Sequence, residues 1–120
     1  MSEQFTILFV EDDTGVRAST EELLASKGFR LLVACDGKQA LRLLAENHVD
    51  VLFTDIVMPD LDGIALAKQA KRLQPDLKIM FMTAYYSRAA EATELGYLLF
   101  KPVRHAQISE ALERLTTAEC

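Results

Sequence analysis

Five short apolar runs alternate with segments of helical spacing, and this alternation most constrains the fold. The runs cover residues 6–10, 30–34, 51–54, 78–82 and 97–100, and each is too short for a stable helix. Each is followed by a segment whose apolar residues recur at helical intervals, which predicts an amphipathic helix. Five strands alternating with five helices require parallel pairing through right-handed crossovers. The sequence therefore predicts one α/β domain, a doubly wound five-stranded parallel sheet covered by helices on both faces.

Polar residues directly follow four of the five runs. Glu11 and Asp12 come after the first run, Asp55 after the third, Thr83 after the fourth and Lys101 after the fifth. Because ligands bind such sheets outside the carboxyl ends of the strands, we expect these side chains to converge. The three carboxylates would repel one another unless Mg²⁺, which prefers oxygen ligands, or the lysine ammonium compensates their charge. A carboxylate can also attack phosphorus, so the pattern predicts a site for a divalent cation and a phosphoryl group.

Composition and charge argue against several classes of function. The 120 residues suffice for one domain, and the net charge of −5 disfavours direct nucleic-acid binding, which depends on basic residues. No apolar stretch approaches the ~20 residues that span a membrane, and the N-terminus lacks the layout of a signal peptide. Cys35 and Cys120 lack metal-ligand spacing. We therefore expect a cytoplasmic protein with reduced thiols and no membrane or nucleic-acid partner.

With these features the chain resembles the receiver domain of two-component response regulators. Residues 11–13 are similar to the acidic cluster of that family, and residues 55–63 match its D-x-x-M-P-x-x-D-G segment. Residues 82–84 (Met-Thr-Ala) are similar to its hydroxyl site, and residues 101–102 to its lysine–proline pair. The four motifs occur in order across the chain. The resemblance implies a flavodoxin-like fold with strand order 2-1-3-4-5, forming one receiver domain over residues 1–120 with no output domain.

The resemblance implies a Mg²⁺-dependent phosphoacceptor. Asp55 would take a phosphoryl group from a histidine kinase or a histidine phosphotransfer protein, and would relay or switch the signal through contacts with an unidentified downstream protein. Asp12, Asp55 and the backbone carbonyl of Val57 would coordinate Mg²⁺, for which Mn²⁺ would be able to substitute, and Glu11 would act through a water molecule. Such a domain assists its own phosphorylation and dephosphorylation and is not classed as an enzyme.

The resemblance also assigns roles to residues that would contact the phosphoryl group. Thr83 would hydrogen-bond one phosphate oxygen and Lys101 would pair with another. The peptide bond between Lys101 and Pro102 would be cis, which proline tolerates. Tyr85 is bulky enough to shield an acyl phosphate, and the apolar Val57 gives no side-chain help to an attacking water. We therefore predict slow self-dephosphorylation.

Two departures from the family pattern concern the fourth helix and the strand after it. The interval from Thr83 to Lys101 is about four residues shorter than usual, close to one helical turn, so we expect a shortened helix over residues 87–95. Leu98 stands three residues before the lysine, where the family typically has a tyrosine or phenylalanine that reorients on phosphorylation. We hypothesise that signalling from Thr83 to the face formed by the fourth helix, fifth strand and last helix is altered, which disfavours a dimer through that face.

Alternative interpretations stay open. One is a phosphorylation-independent interaction module with the same fold, although every acid, hydroxyl and lysine position is filled. Another is a small metal-dependent phosphatase, although Val57 stands where such enzymes have a second acid. The chain is either a stand-alone regulator, which its initial methionine favours, or part of a longer protein. Asp13 is better placed as a helix N-cap than as a metal ligand, and His48 and His105 are expected at the surface.

Overall fold

The computed structural model describes residues 5–117 and confirms the predicted architecture. The elements run β1 (Thr6–Val10), α1 (Thr14–Ser26), β2 (Arg30–Ala34), α2 (Gly37–Glu46), β3 (Val51–Asp55), α3 (Gly63–Leu73), β4 (Lys78–Thr83), α4 (Ala89–Leu95), β5 (Tyr97–Phe100) and α5 (His105–Thr117). The strands form one parallel sheet in the order β2-β1-β3-β4-β5. No helix in the described part of the chain is long and apolar enough to span a membrane. Cys120 lies outside the described residues, and Cys35 is an exposed free thiol.

The core has two layers, one on each face of the sheet, because successive strand residues point to opposite sides. In β1, Leu8 and Val10 belong to the layer beneath α2, α3 and α4, whereas Ile7 and Phe9 belong to the layer beneath α1 and α5. All four side chains are fully buried. Burial on both faces explains why the strands are apolar throughout and why the sequence shows them as continuous runs.

Aspartate side chains begin three of the helices. Asp13 accepts a hydrogen bond from Val16 N at 3.0 Å, so its predicted role as an N-cap is confirmed. Asp36 and Asp62 cap α2 and α3 in the same way, each accepting from a backbone N–H three residues on at 2.8 Å. Such caps satisfy backbone donors that a helix start would otherwise leave unpaired.

The fourth helix is short, as expected. It has seven residues and begins at Ala89, two residues later than predicted. Arg88 occupies its N-cap position without a capping side-chain hydrogen bond, and Ala92 is the buried residue among those described in the helix. A single residue, Gly96, connects it to β5, and a β-carbon there would overlap the backbone carbonyl of Ile79. The short helix thus has a small buried face, and the turn that follows it has no room for a side chain at Gly96.

Candidate functional site

Four polar residues from three strand ends meet at one edge of the sheet. The structure brings the carboxylate oxygens of Glu11, Asp12 and Asp55 within 4.8 Å of one another. Lys101 reaches across from the end of β5, and its Nζ lies 2.6 Å from Asp55 Oδ2 and 3.5 Å from Glu11 Oε1. The convergence expected from the sequence is therefore present for these four side chains.

Glu11 is the most constrained of the acids. Its side chain is 1% exposed, and its Oε2 accepts a hydrogen bond from Asp13 N at 3.0 Å. Its Oε1 is buried without any hydrogen-bond donor from the described residues. Burial raises the pKa of Glu11, and the neighbouring Asp55 charge raises it further, against the opposing effects of Asp13 N and Lys101. The Lys101 ammonium gives this oxygen an ion-pair contact at 3.5 Å but no hydrogen bond, so a cation bound here would be a closer partner.

The three acids fit a hard divalent cation. Glu11 and Asp55 are buried, whereas Asp12 is exposed at the mouth of the site. Mg²⁺ is bound in proteins through one or two carboxylates together with waters and substrate oxygens, so this set of carboxylates, which includes an oxygen without a hydrogen bond, suits that ion. Val57 N donates to Asp55 Oδ1 at 3.3 Å, and the Val57 carbonyl stays a predicted ligand.

Asp55 is held from several sides. Lys101 Nζ donates a hydrogen bond to its Oδ2, and Val57 N donates one to its Oδ1. Thr54 Oγ1 donates to its backbone carbonyl at 2.9 Å. The start of α3 packs directly against this carbonyl, where a β-carbon at Gly63 would overlap the oxygen. This contact explains why the segment after Asp55 contains glycine at the first position of α3. The carboxylate is thereby fixed in place before any partner arrives.

Lys101 keeps its positive charge in this setting. Partial burial alone would lower its pKa, but the hydrogen bond to Asp55 and the attraction of Asp55 and Glu11 more than offset this, so the pKa of Lys101 is raised. Its backbone N–H donates to Thr83 O at 2.8 Å, and the bond between Lys101 and Pro102 is cis. An ammonium is thus available beside Asp55 throughout the neutral pH range.

Thr83 ends the strand next to Asp55. Asp55 pairs in register with Met82, and the buried Thr83 follows, its Oγ1 accepting from Tyr85 N at 3.1 Å. The side chains of Tyr85 and Val57 are exposed, 57% and 52% respectively, and their effect on phosphate lifetime stays a prediction. Leu98 is partly buried against the core layer beneath α2, α3 and α4.

The structure also shows residues that sequence reasoning did not single out. Arg17 donates to the backbone carbonyl of Glu11 at 2.9 Å and ties α1 to the acidic cluster. Arg88 pairs with Asp62 at 3.0 Å and with Glu91 at 3.1 Å, linking the start of α4 to the start of α3. Asp62 directly before Gly63 was recognisable as a motif position, but no pattern in the sequence indicated Arg17 or Arg88. His48 and His105 are exposed, as expected.

Comparison with known proteins gives a consistent answer. The family model "Response regulator receiver domain" matches residues 7–113. The response regulator receiver protein CpdR of Brucella abortus is 34% identical over 93% of this chain and 97% of its own length. Sporulation initiation phosphotransferase F of Bacillus subtilis is 30% identical over 90% of both chains.

A solved structure extends the likeness to the fold. The CheY-like receiver domain protein of Methanospirillum hungatei superposes with a TM-score of 0.89 at 27% identity, covering 98% of both chains. Some relatives are longer, and the chain spans only 13% of one and 25% of another. The family match, the two full-length relatives and the fold agree, and the chain therefore belongs to the response regulator receiver domain family of two-component systems.

Proposed function

We propose that this protein is a Mg²⁺-dependent phosphoacceptor of a two-component pathway, in which Asp55 takes a phosphoryl group from a phosphohistidine. One observation carries the proposal. A buried carboxylate, Asp55, is held 2.6 Å from a lysine ammonium, beside a second buried acid, Glu11, one oxygen of which faces the same ammonium at 3.5 Å without a hydrogen bond. A lysine–aspartate pair alone is a common structural feature. The additional acids make the arrangement suited to a metal ion and a phosphoryl group.

The transfer needs little chemistry from the protein beyond positioning and charge. An Asp55 oxygen attacks phosphorus, the phosphorus–nitrogen bond to the donor imidazole breaks, and its electron pair returns to nitrogen. Lys101 then hydrogen-bonds a phosphoryl oxygen in place of the Asp55 oxygen, and the Thr83 hydroxyl donates to another. Mg²⁺ held by Asp12, Asp55, the Val57 carbonyl and, through water, Glu11 would neutralise charge on the phosphoryl oxygens. Fixed dipoles and charges of this kind supply most of the catalysis in phosphoryl transfer.

The donor that we propose is a histidine kinase or a histidine phosphotransfer protein. The printed name of the Bacillus subtilis relative, a phosphotransferase, supports a relay of this kind. A cleft of about 660 Å³ opens beside Lys101, between α1 and the segment that leads into α5, and would give a donor access to the site. Its walls include Val16, Met82 and Ile108. The output would pass through contacts with a downstream protein.

We further propose that the protein does not turn over a separate phosphate ester. A phosphatase of the aspartate-nucleophile type needs a second acid to protonate its leaving group. Val57, two residues after Asp55, has no group that could do so, and its side chain is exposed. The same absence leaves the aspartyl phosphate without help toward hydrolysis, which supports a slow loss of phosphate.

Intact mass spectrometry tests the phosphoacceptor role. The protein is incubated with Mg²⁺ and acetyl phosphate, and the mass is compared for wild type, Asp55→Asn and Asp60→Asn. Asp60 is the matched control because it is exposed, lies in the same loop, and has a φ of 68° that asparagine also adopts. We expect one added phosphoryl group in wild type and Asp60→Asn, and none in Asp55→Asn.

A wild-type protein that takes up no phosphoryl group from acetyl phosphate would require a test with a second donor. If wild type takes up no phosphate while calorimetry shows that it binds Mg²⁺, incubation with a phosphorylated histidine phosphotransfer domain distinguishes the remaining cases. Uptake from that donor alone would indicate donor specificity. No uptake from either donor would indicate a receiver fold used as a phosphorylation-independent interaction module.

A further inference from the structure

The helices differ in the sign of their charge. Together, α2 and α3 hold five basic residues and one acidic residue, a net charge of +4. The chain as a whole has a net charge of −5, so its other residues carry −9. Helices α1, α4 and α5 each contain more acidic than basic residues. Two neighbouring helices therefore form a basic surface on an otherwise acidic protein, and its basic residues are Lys38, Arg42, Lys68, Lys71 and Arg72.

The spacing of these basic residues is unfavourable for the helices themselves. In α1 and in α5, two residues of opposite charge stand four positions apart and pair at 3.7 and 3.3 Å. In α2, by contrast, Lys38 stands four positions before Arg42, and in α3 Lys68 stands four positions before Arg72. Like charges at this spacing repel each other and destabilise a helix. The stability of the fold therefore does not account for this pattern.

Three of the five basic side chains lack a partner. Lys68 pairs with Glu91 of α4 at 3.4 Å, and Lys71 donates to the carbonyl of Leu77 at 3.1 Å. The other three side chains are exposed and make no hydrogen bond or ion pair with any residue in the range 5–117. These three are Lys38, Arg42 and Arg72.

The C-terminal ends of α2 and α3 are held together by Gln74. Its Nε2 donates to the carbonyls of Leu44 and Asn47 at 2.9 and 2.8 Å. Arg42 lies two residues before Leu44, and Arg72 lies two residues before Gln74. The two arginines thus occupy corresponding positions near one fixed junction between the helices.

An exposed apolar side chain adjoins these charges. Leu73, the last residue of α3, is 50% exposed and directly follows Arg72. A single exposed leucine is common on protein surfaces and has no meaning by itself. Beside arginines without partners, however, it adds an apolar contact to a cationic surface. Such a surface is complementary to an acidic segment that also carries an apolar side chain.

We propose that the outer surface of α2 and α3 binds an acidic segment of another protein. Lys38, Arg42 and Arg72 would contact its carboxylates, and Leu73 would contact an apolar side chain. Guanidinium groups suit this role because they can donate two parallel hydrogen bonds to one carboxylate. A nucleic acid is a poorer fit, since the net charge of −9 on the other residues would repel an extended polyanion.

The proposed surface is separate from the site at the strand ends. Helices α2 and α3 cover one face of the sheet, whereas the cleft beside Lys101 opens between α1 and the segment before α5, on the other face. A phosphoryl donor and an acidic partner would thus bind at the same time without overlap. The inference goes beyond the proposed function and does not depend on phosphorylation of Asp55.

An NMR titration of the unphosphorylated, ¹⁵N-labelled protein tests the inference. The probe is a synthetic peptide of glutamates with leucines at helical spacing. In one control peptide glutamine replaces glutamate, and in the other alanine replaces leucine. We expect the probe to shift amide resonances of α2 and α3, and the shifts to weaken as salt is added. Both control peptides should bind more weakly. Shifts that fall mainly outside α2 and α3 would overturn the proposal.

Two double variants with the same change in net charge sharpen the test. Arg42→Glu with Arg72→Glu reverses the proposed contacts, and we expect the probe to bind roughly tenfold more weakly or worse. Lys27→Glu with Arg104→Glu is the matched control, because both residues are exposed and flank α1 and α5 on the other face of the sheet. Equal weakening in the two double variants would show that only net charge matters and would refute the site.

Leu73→Gln tests the apolar contact without a change in charge. The side chain is half exposed at the end of α3, so the variant retains the buried face of the helix. We expect it to bind the probe more weakly than wild type and no better than wild type binds the alanine control peptide. Unchanged binding would contradict the assigned contact.

Three further measurements test other occupants of the surface. A DNA duplex and phosphatidylglycerol vesicles are titrated in the same way, and sedimentation of the protein alone measures self-association. We expect weaker binding of both than of the probe, and no self-association that depends on Arg42 and Arg72. Tighter binding of the duplex or the vesicles, or a dimer that the Arg42→Glu and Arg72→Glu variant dissociates, would replace the acidic segment with that partner and overturn the proposal.

Discussion

The loops after β3 and β4 end in the same site but are built differently. After Asp55, Gly63 N donates to Ile56 O at 2.7 Å, Asp62 caps α3, and α3 buries five of its residues. After Thr83, no side chain of the described residues caps α4, and that helix buries only Ala92. The segment after Asp55 is thus fixed, whereas the segment after Thr83 is weakly anchored.

Under the proposed function, this difference would separate a fixed reaction site from an element that reports the reaction. A nucleophile and its metal ligands benefit from being pre-positioned, because less ordering is needed when the reaction occurs. An element that reports the reaction must be able to move, and such elements come from the less stable parts of a structure. Ion pairs connect the two segments: Arg88 at the start of α4 pairs with Asp62 at the start of α3 and with Glu91, and Glu91 also pairs with Lys68 of α3 at 3.4 Å.

The largest effect is expected at Gly63, where the fixed loop is tightest. In Gly63→Ala the new β-carbon would overlap the carbonyl of Asp55, so the backbone has to shift. We expect the free energy of unfolding to fall by about 1–3 kcal/mol, as is typical of overpacking, and phosphoryl uptake to fall with it. Urea denaturation and the intact-mass assay measure the two changes.

Gly15→Ala is the matched control for that substitution. A β-carbon at this exposed position in α1 would meet only Asp13 Oδ1, at an ordinary contact distance of 3.5 Å. Alanine also favours a helix over glycine by up to about 1 kcal/mol. Equal losses of stability in the two variants would mean that the α3 start is no more constrained than the α1 start.

A smaller effect is expected from Asp62, which contributes to both loops. Asp62→Ala removes the cap of α3 and the ion pair with Arg88, and we expect a loss of about 0.5–2 kcal/mol in the free energy of unfolding. Asp62→Asn retains a capping oxygen and removes only the charge, so thermal or urea unfolding should show it closer to wild type. If the two variants are equally destabilised, the charge rather than the cap dominates.

The lowered pKa of Asp62 predicts that the stability of the protein depends on pH. Partial burial would raise the pKa of Asp62, but the hydrogen bonds from Ala65 N and Arg88 outweigh it, so the pKa falls below its ordinary value of 3.8. A lowered folded-state pKa contributes stability that is present above 3.8 and is lost as the pH falls through the lower folded value. The stability difference between wild type and Asp62→Asn should therefore shrink as the pH is lowered below this range. A difference that grows on acidification would contradict the assignment.

The smallest effect is expected at Arg88, on the weakly anchored loop. Its side chain is 38% exposed, and exposed ion pairs contribute about 0–1 kcal/mol. In Arg88→Gln we expect a global stability within that amount of wild type but faster hydrogen exchange of the α4 amides. The double variant with Asp62→Asn should add little to either single one, since both remove the same ion pair. Additive losses would show that the two residues act separately.

Much of the fold follows from patterns in the sequence. The apolar runs predict the five strands, and the polar residues that follow them predict that Glu11, Asp12, Asp55 and Lys101 lie at one edge of the sheet. The strand order comes from the family resemblance. These predictions hold because burial on both faces leaves few alternatives for such runs. The interval between Thr83 and Lys101, which is shorter than the family pattern, also predicts that α4 is short.

Other features depend on three-dimensional detail that the sequence does not carry. Leu73 has the spacing of an inward-facing helix residue, yet it is 50% exposed because α3 ends there. The burial of Glu11 Oε1 without a hydrogen bond and the ion pair between Arg88 and Asp62 depend on how side chains from different elements meet. The contact between the rings of Tyr86 and Phe100, whose centroids lie 4.5 Å apart, likewise depends on the path of the loop after Thr83, which no periodic pattern specifies.

Hydrogen exchange measured by mass spectrometry, with Mg²⁺ alone and with Mg²⁺ and the phosphoryl mimic beryllofluoride, tests the contrast between the two loops most directly. We predict that exchange changes most over residues 84–95, which include α4, and little in the first turn of α3 from Gly63 to Leu66. A change at the start of α3 as large as that in α4, or no change in either, would contradict the account of a fixed acceptor loop and a responsive hydroxyl loop.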